Sequence, residues 1–137
     1  MRASISNRQA EVRVKVRLLQ SRLDRALKLL PRPLPRGVEA LEIILVDRKT
    51  MAEVHGDFLG DPTETDVITF PYGEILVCPA VAYDASLALG ATLDEEILLY
   101  ALHGILHLAG YDDVTPDLRR QMHEAQDKLL KKVLAGA

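Results

Sequence analysis

Two histidines four residues apart, His103 and His107, are the side chains of this sequence best placed for metal chemistry. In a helix this spacing puts both imidazoles on one face, about a turn apart, where both can bind one ion. Gly110 follows three residues after the second histidine and lets the chain fold back. Asp113 then comes within reach of the same ion, so the spacing predicts a metal site of His103, His107 and Asp113.

A site with three protein ligands leaves a fourth coordination position open. This is the arrangement of catalytic zinc, in which the pKa of bound water falls to about 7. Two histidines and a carboxylate also match the facial triad of non-haem iron enzymes. We expect one Zn²⁺ per chain, because nothing else in the sequence suggests oxygen chemistry, and iron, manganese and nickel stay open as alternatives.

The element that must position the histidines is a helix predicted over residues 93–108. Its residues are apolar almost all round, which is typical of a helix covered on most sides. Thr92 and Glu95 form a capping box at its start, and Gly110 is placed to end it. We therefore expect the metal ligands to lie on a buried central helix.

The rest of the chain carries both strand and helix signals. Val12, Val14 and Val16 alternate as in a strand, and we predict an extended entry there, followed by a helix from about Val16 to Leu30. Further strands are predicted at 41–46, 67–70 and 75–78, and further helices at 50–59, at 79–90 and from Thr115 onward. The predicted fold class is α+β: a single domain over 1–137, with a small mixed sheet of about four strands packed with helices.

Composition excludes several classes of protein. A chain of 137 residues with 48% hydrophobic residues fits one domain with a real core, and no apolar run is long enough to span a membrane. The first residues lack the apolar stretch of a secretory signal. The single cysteine, Cys78, cannot form an internal disulfide, so we expect a cytoplasmic protein without a membrane partner.

Charge is divided unevenly along the chain, although the net charge is only −3. Residues 1–36 hold ten Lys and Arg against two acids, or +8, and residues 37–137 hold seven against eighteen, or −11. Such a division indicates an anionic partner for the basic part of the surface. The alternative is an amphipathic helix whose solvated face happens to be basic.

The sequence resembles a known family at these residues. The string HGILHLAGYDD, residues 103–113, is similar to the H-G-x-L-H-L-x-G-Y-D-H motif of the YbeY endoribonucleases, the bacterial rRNA maturation factors. The segments TDVITFP at 65–71 and GEILV at 73–77 are similar to that family's T-D-V-L-S-F-P and G-D-I-x-I segments. The similarity covers roughly residues 40–115.

This resemblance implies a metal-dependent endoribonuclease directed at single-stranded RNA. It would act in the cytoplasm on the rRNA of the 30S ribosomal subunit, in 16S rRNA 3′-end maturation and ribosome quality control. By motif position His103 and His107 are the first two zinc ligands. The basic first segment would contact the phosphate backbone, with Arg13, Lys15 and Arg17 as the expected substrate-binding residues.

Two residues depart from the family's pattern. The family's third ligand is usually histidine and here is Asp113, which lowers the net charge of the site by one and weakens its preference for zinc. Family members often carry an arginine, thought catalytic, six residues before the T-D-V segment, where this chain has Leu59. Leucine cannot stabilise phosphoryl charge, so either another cation serves or nuclease activity is weak.

Two other functions fit parts of the pattern. The two histidines and Gly110 also match the metzincin metallopeptidases, but those enzymes need a glutamate after the first histidine, where this chain has Gly104. The second alternative is a ribosome-associated factor that uses its metal to hold the fold and has little nuclease activity. Leu59 favours that alternative, and an open coordination position argues against it.

Overall fold

A computed structural model describes residues 2–61 and 65–136 of the chain, which form four strands and five helices. The strands are β1 (Ala3–Asn7), β2 (Leu41–Leu45), β3 (Val67–Thr69) and β4 (Glu74–Val77). The helices are α1 (Val16–Lys28), α2 (Arg48–Leu59), α3 (Pro79–Leu89), α4 (Leu93–Leu108) and α5 (Pro116–Ala135). None of these helices is long and apolar enough to cross a membrane.

The strands form one mixed sheet in the order β1-β2-β4-β3. β1 and β4 both run parallel to β2, which places Ile43 opposite Ile75, and β3 returns antiparallel to β4. The two central strands are nearly all buried and read as continuous apolar runs, as expected for strands covered on both faces. The α+β fold class with a mixed sheet of four strands is therefore confirmed.

Each face of the sheet has its own hydrophobic cluster. On one face, Ile43 and Ile75 pack with the buried sides of α1, α4 and α5, including Leu23, Leu102 and Met122. The opposite face is covered more thinly, and the cluster there includes Met51 of α2 and Ala80 of α3. Helix α4 contacts α1, α3, α5 and the sheet, so it is the buried central helix predicted from its apolar sequence.

Gly104 brings α4 unusually close to the sheet. A Cβ atom at this position would lie 2.7 Å from Cγ2 of Ile75 and 2.9 Å from Oγ1 of Thr69. Both distances are shorter than van der Waals contact, and Ile75 is fully buried and β-branched, so it has little freedom to move. The absence of a side chain at position 104 therefore sets how near His103 and its helix lie to β3 and β4.

The sequence did not predict the first strand. The stretch from Val12 to the start of α1 is not a strand, and the fourth strand is β1, whose sequence ASISN gives only a weak apolar pattern. The alternating valines have another cause: Val12 packs on one hydrophobic cluster and Val14 on the other, as the chain passes the end of the sheet. The alternating valines therefore belong to a connecting segment that packs on both clusters, and not to a strand.

Replacement of Gly104 by alanine tests the close helix–sheet contact. Alanine normally stabilises a helix relative to glycine by about 1 kcal/mol. Here the added methyl group must displace Ile75 or Thr69, and overpacking of this kind costs about 1–3 kcal/mol. We expect Gly104→Ala to lower the free energy of unfolding in urea, whereas Gly37→Ala, where nothing lies within 4 Å of the new atom, should leave it unchanged. Equal stability of the two variants would contradict the contact.

Candidate metal centre

The three predicted ligands converge in the structure. His103 Nε2 and His107 Nε2 lie 3.1 Å apart, and Asp113 Oδ2 lies 3.8 Å from His107 Nε2. One ligand atom from each of the three residues lies within 4.8 Å of the other two. Around a tetrahedral zinc ion with bonds near 2.0–2.1 Å, ligand atoms are about 3.3 Å apart, so the two histidine nitrogens already have this spacing and the Asp113 carboxylate would have to move closer to hold the same ion.

The other ring nitrogen of each histidine is already engaged. His103 Nδ1 lies 2.8 Å from Oε1 of Gln126 on α5, and His107 Nδ1 lies 3.2 Å from the carbonyl oxygen of Tyr111. Both partners are acceptors, so each Nδ1–H donates and each Nε2 carries a lone pair. Two lone pairs facing each other at 3.1 Å repel unless a cation lies between them. The donor set therefore fits a bound metal ion, with Gln126 and the Tyr111 carbonyl orienting its ligands.

Burial keeps His103 in the form that binds metal. The pKa of its imidazole is lowered chiefly by burial, and nearby His107 lowers the pKa further, while the hydrogen bond with Gln126 acts in the opposite direction. A lowered pKa means that the imidazole stays neutral at pH 7, which metal coordination requires. Asp113, by contrast, has a side chain that is 47% exposed and supplies the negative charge of the group.

The turn after α4 delivers Asp113 to the histidines. Tyr111 N donates to the carbonyl of Leu106, and Gly110 takes a φ of +101°, a conformation that favours glycine. Asp112 accepts a hydrogen bond from the backbone N–H of Asp113 through Oδ1 at 2.7 Å. Asp112 therefore shapes the turn, and Asp113 is the carboxylate left to face the histidines.

A cleft of about 960 Å³ opens beside the three ligands. Its other walls are mostly apolar, and they come from α2, from β3 with its flanking residues and from the connection before β2. Leu59, at the end of α2, is exposed and lines this cleft, so the place where the family often has arginine does face the site. Among the described residues that line the cleft there is no lysine or arginine.

Two arginines instead hold the turn that carries the third ligand. Arg32 lies over the ring of Tyr111 at 4.0 Å and donates from Nη1 to the carbonyl of Gly110 at 3.4 Å. Arg119, in the first turn of α5, donates from Nη2 to the carbonyl of Asp113 at 3.4 Å. Sequence reasoning did not single out either residue, because only the folded chain brings them to this turn.

The structure does not bring Lys15 to the metal ligands. Its Nζ pairs with Asp94 Oδ2 at 3.6 Å, at the start of α4, about 20 Å along the helix from His107 at 1.5 Å per residue. Arg17 lines a groove on the outer side of α1 together with Arg25 and Lys28, and Arg13 is exposed just before that helix. Substrate contact by Arg13, Lys15 and Arg17 therefore stays a prediction about a surface apart from the metal centre.

Gln126 is another residue that sequence reasoning missed. It lies on α5 four residues after Met122 and three before Leu129, both buried. A polar residue within an otherwise apolar helix stripe was the available signal, since a half-buried amide needs a hydrogen-bonding partner. The pattern could not say that this partner is His103, one of the three candidate metal ligands.

Comparison with known proteins places the chain in a family. The profile of the family described as Endoribonuclease YbeY matches residues 4–134, and the chain belongs to this family. Endoribonuclease YbeY of Beutenbergia cavernae is 36% identical over 113 residues, which cover 70% of this chain and 75% of that protein. Endoribonuclease YbeY of Kineococcus radiotolerans is 36% identical over 112 residues, covering 69% and 65%. The solution structure of a Thermotoga maritima protein matches with a TM-score of 0.70 and 29% identity, over 98% of this chain and 90% of that one.

Replacement of Gln126 tests its role in orienting His103. Without the amide acceptor, the imidazole loses the partner that holds its ring and tautomer, and such losses lower metal affinity about 10–100-fold. We expect this loss for Gln126→Ala in a zinc competition titration against a chelator of known affinity. The control is Gln121→Ala, an exposed glutamine of the same helix, which should bind zinc as the unaltered chain does. Equal zinc affinity in both variants would remove Gln126 from the site.

Proposed function

We propose that this chain hydrolyses phosphodiester bonds of single-stranded RNA, as a single metal-dependent domain. Its RNA would be the rRNA of the 30S subunit in the cytoplasm, in 16S rRNA 3′-end maturation and ribosome quality control. The observation that carries the proposal is the convergence of His103, His107 and Asp113 in a member of the endoribonuclease YbeY family. The cationic side chains that contact the RNA phosphates then have to come from residues outside the three metal ligands.

The metal is proposed to be one Zn²⁺ held by Nε2 of each histidine and by the Asp113 carboxylate. When bound, such an ion would activate water for attack and polarise a phosphoryl oxygen. The carboxylate makes the ligand set harder and one unit more negative than three histidines, which favours manganese and iron more than a three-histidine site would. Zinc remains the proposed ion because two imidazoles dominate the donor set.

The protein's own part in the reaction is to hold the RNA phosphate beside the ligands. Leu59 offers no hydrogen bond in the cleft. The candidates for phosphate contact are therefore the two arginines that donate to the turn carrying Asp113. Arg119 and Arg32 both reach backbone carbonyls of that turn while keeping other guanidinium N–H groups available. We propose that Arg119, whose partner is the carbonyl of Asp113 itself, takes the phosphate contact that Leu59 cannot make.

A peptidase is disfavoured by the packing of α4. The metallopeptidase motif needs a glutamate at position 104, and any side chain there would overlap Ile75 or Thr69. The acids of α4 are Asp94, Glu95 and Glu96, all in its first turn and about two turns or more from His103, and Glu96 is buried and hydrogen-bonded with Tyr100. The described part of α4 thus offers no general base beside the histidines.

The open cleft beside the three ligands argues against a metal that only holds the fold. Structural zinc sites are closed by four protein ligands, whereas this group has three and opens on a cleft. The half-exposed Asp113 side chain faces solvent at the mouth of that cleft. The arrangement therefore favours an ion that meets substrate.

Removal of one histidine tests the catalytic assignment. We expect His107→Ala to lose at least about 100-fold in cleavage of a single-stranded RNA by zinc-loaded protein, because the metal loses a ligand. The control is His123→Ala, an exposed histidine of α5 outside the cleft, which should cleave as the unaltered chain does. Metal content by elemental analysis should fall only in His107→Ala. Equal cleavage by both variants would contradict metal catalysis at this site.

A pair of neighbouring arginines tests the phosphate contact. Arg119 donates to the carbonyl of Asp113, whereas adjacent Arg120 pairs with Asp117 on the same helix. Loss of a hydrogen bond to a charged group costs about 1.5–3 kcal/mol, so Arg119→Gln should lower kcat/KM for RNA about 10-fold or more. Arg120→Gln has the same change in net charge and should have little effect. Equal losses would indicate that only the net charge matters.

A further inference from the structure

Three aromatic rings lie in a row beside the candidate metal cleft and are called the ladder below. The ring of Phe58, at the end of α2, lies 5.4 Å from that of Phe70, edge to face, and Phe70 lies 5.7 Å from Tyr72, stacked at 20°. Phe58 is 67% exposed and Tyr72 is 60% exposed. The chain has only two phenylalanines, four tyrosines and no tryptophan, so half of its large aromatic residues meet here.

The ladder joins two clefts. Phe58 and Phe70 line the cleft of the metal ligands, and both also line a neighbouring cleft of about 380 Å³ on the outer face of the sheet. Tyr72 and Arg8 line only the neighbouring cleft. The two clefts therefore meet at Phe58 and Phe70.

The second cleft has the chemistry of a site for a flat, partly polar group. Its volume falls in the range of about 300–1,000 Å³ that small ligands occupy. Its floor is apolar, from Ile44 and Leu76 of the central strands. Tyr72 donates its hydroxyl hydrogen to Glu74 at 2.9 Å, which orients the ring, and Arg8, which pairs with Glu42 at 3.7 Å, also lines the cleft. Contiguous exposed apolar surface of this kind is typical of an interaction site or a ligand-binding groove.

We propose that this ladder is a base-stacking subsite, on which unpaired nucleobases next to the cleaved phosphate lie against Phe58 and Tyr72. The inference rests on the proposed function, because it takes single-stranded RNA as the occupant. Aromatic rings stack with every base, so the subsite holds unpaired RNA with little dependence on sequence. Paired RNA keeps its bases within the helix and cannot use the ladder. The subsite therefore provides the preference for single strands that the three metal ligands by themselves cannot provide.

Binding of an RNA oligonucleotide to the full chain, without added metal, tests the ladder separately from cleavage. The probe is a fluorescein-labelled eight-nucleotide single-stranded RNA, followed by fluorescence anisotropy. Stacking is worth about 1–3 kcal/mol per base, so Phe58→Ala and Tyr72→Ala should each weaken binding about 5- to 150-fold. Leu87→Ala, which removes a leucine of α3 that is 68% exposed and lines neither cleft, should bind as the unaltered chain does.

A second variant reports stacking directly. Because the chain has no tryptophan, Phe58→Trp places a single indole in the ladder. We expect this variant to bind the probe normally, and its fluorescence to be quenched by the eight-nucleotide RNA but not by an abasic strand of the same length. Unchanged binding by Phe58→Ala and Tyr72→Ala, or equal quenching by the abasic strand, would overturn the proposal. Loss of binding in Leu87→Ala as well would also overturn it, by showing a general surface effect.

The outcomes separate the two proposals. If zinc-loaded protein cleaves RNA and the ladder variants bind and cleave normally, the subsite is wrong and the nuclease stands. If the ladder variants lose binding as expected but zinc-loaded protein does not cleave, the subsite stands and the nuclease is wrong. If the unaltered chain binds neither the RNA nor the abasic strand, the subsite is wrong, and the ladder then fits a protein partner better.

Discussion

The burial of α4 is the constraint on which the rest of the structure depends. A helix that is apolar on nearly every side has to be covered on every side, and here the sheet, α1, α3 and α5 cover it. Gly104 lets the helix approach β3 and β4 more closely than a side chain would allow. The two histidines lie near the end of this fixed helix, so their ring positions inherit its rigidity, which a metal site needs from its scaffold.

The groups that complete the site come from elements packed against that helix. α5 supplies Gln126 to one histidine, and the turn after α4 supplies both the Tyr111 carbonyl and the Asp113 carboxylate. Burial holds the pKa of His103 below its ordinary value and so keeps a neutral ligand in place. The same packing explains why peptidase chemistry does not fit, since the position that would hold its base is occupied by the sheet.

Charge is arranged in two separate places on the molecule. Much of the basic first segment lies along the exposed face of α1, and Lys15 is tied to Asp94 at the far end of α4 from the site. At the metal centre itself, the nearby cations are Arg32 and Arg119, which hold the turn carrying the third ligand. An uneven charge along the sequence therefore indicated an anionic partner but did not locate where that partner would meet the metal.

By itself the sequence determined most of the helices and strands and predicted the candidate metal ligands. The bounds of α4, the caps at Thr92 and Thr115, the strands β2, β3 and β4 and the group of His103, His107 and Asp113 all follow from local patterns, because periodicity and spacing act within one element or one turn. Tertiary structure alone decided the place of β1, whose pattern is weak. It also decided that the alternating Val12 and Val14 pack on two different hydrophobic clusters instead of forming a strand. It also decided which residues distant in sequence reach the site, such as Gln126, Arg119 and the ladder of Phe58, Phe70 and Tyr72. Those contacts depend on how helices and strands pack across the core, and no local pattern records that.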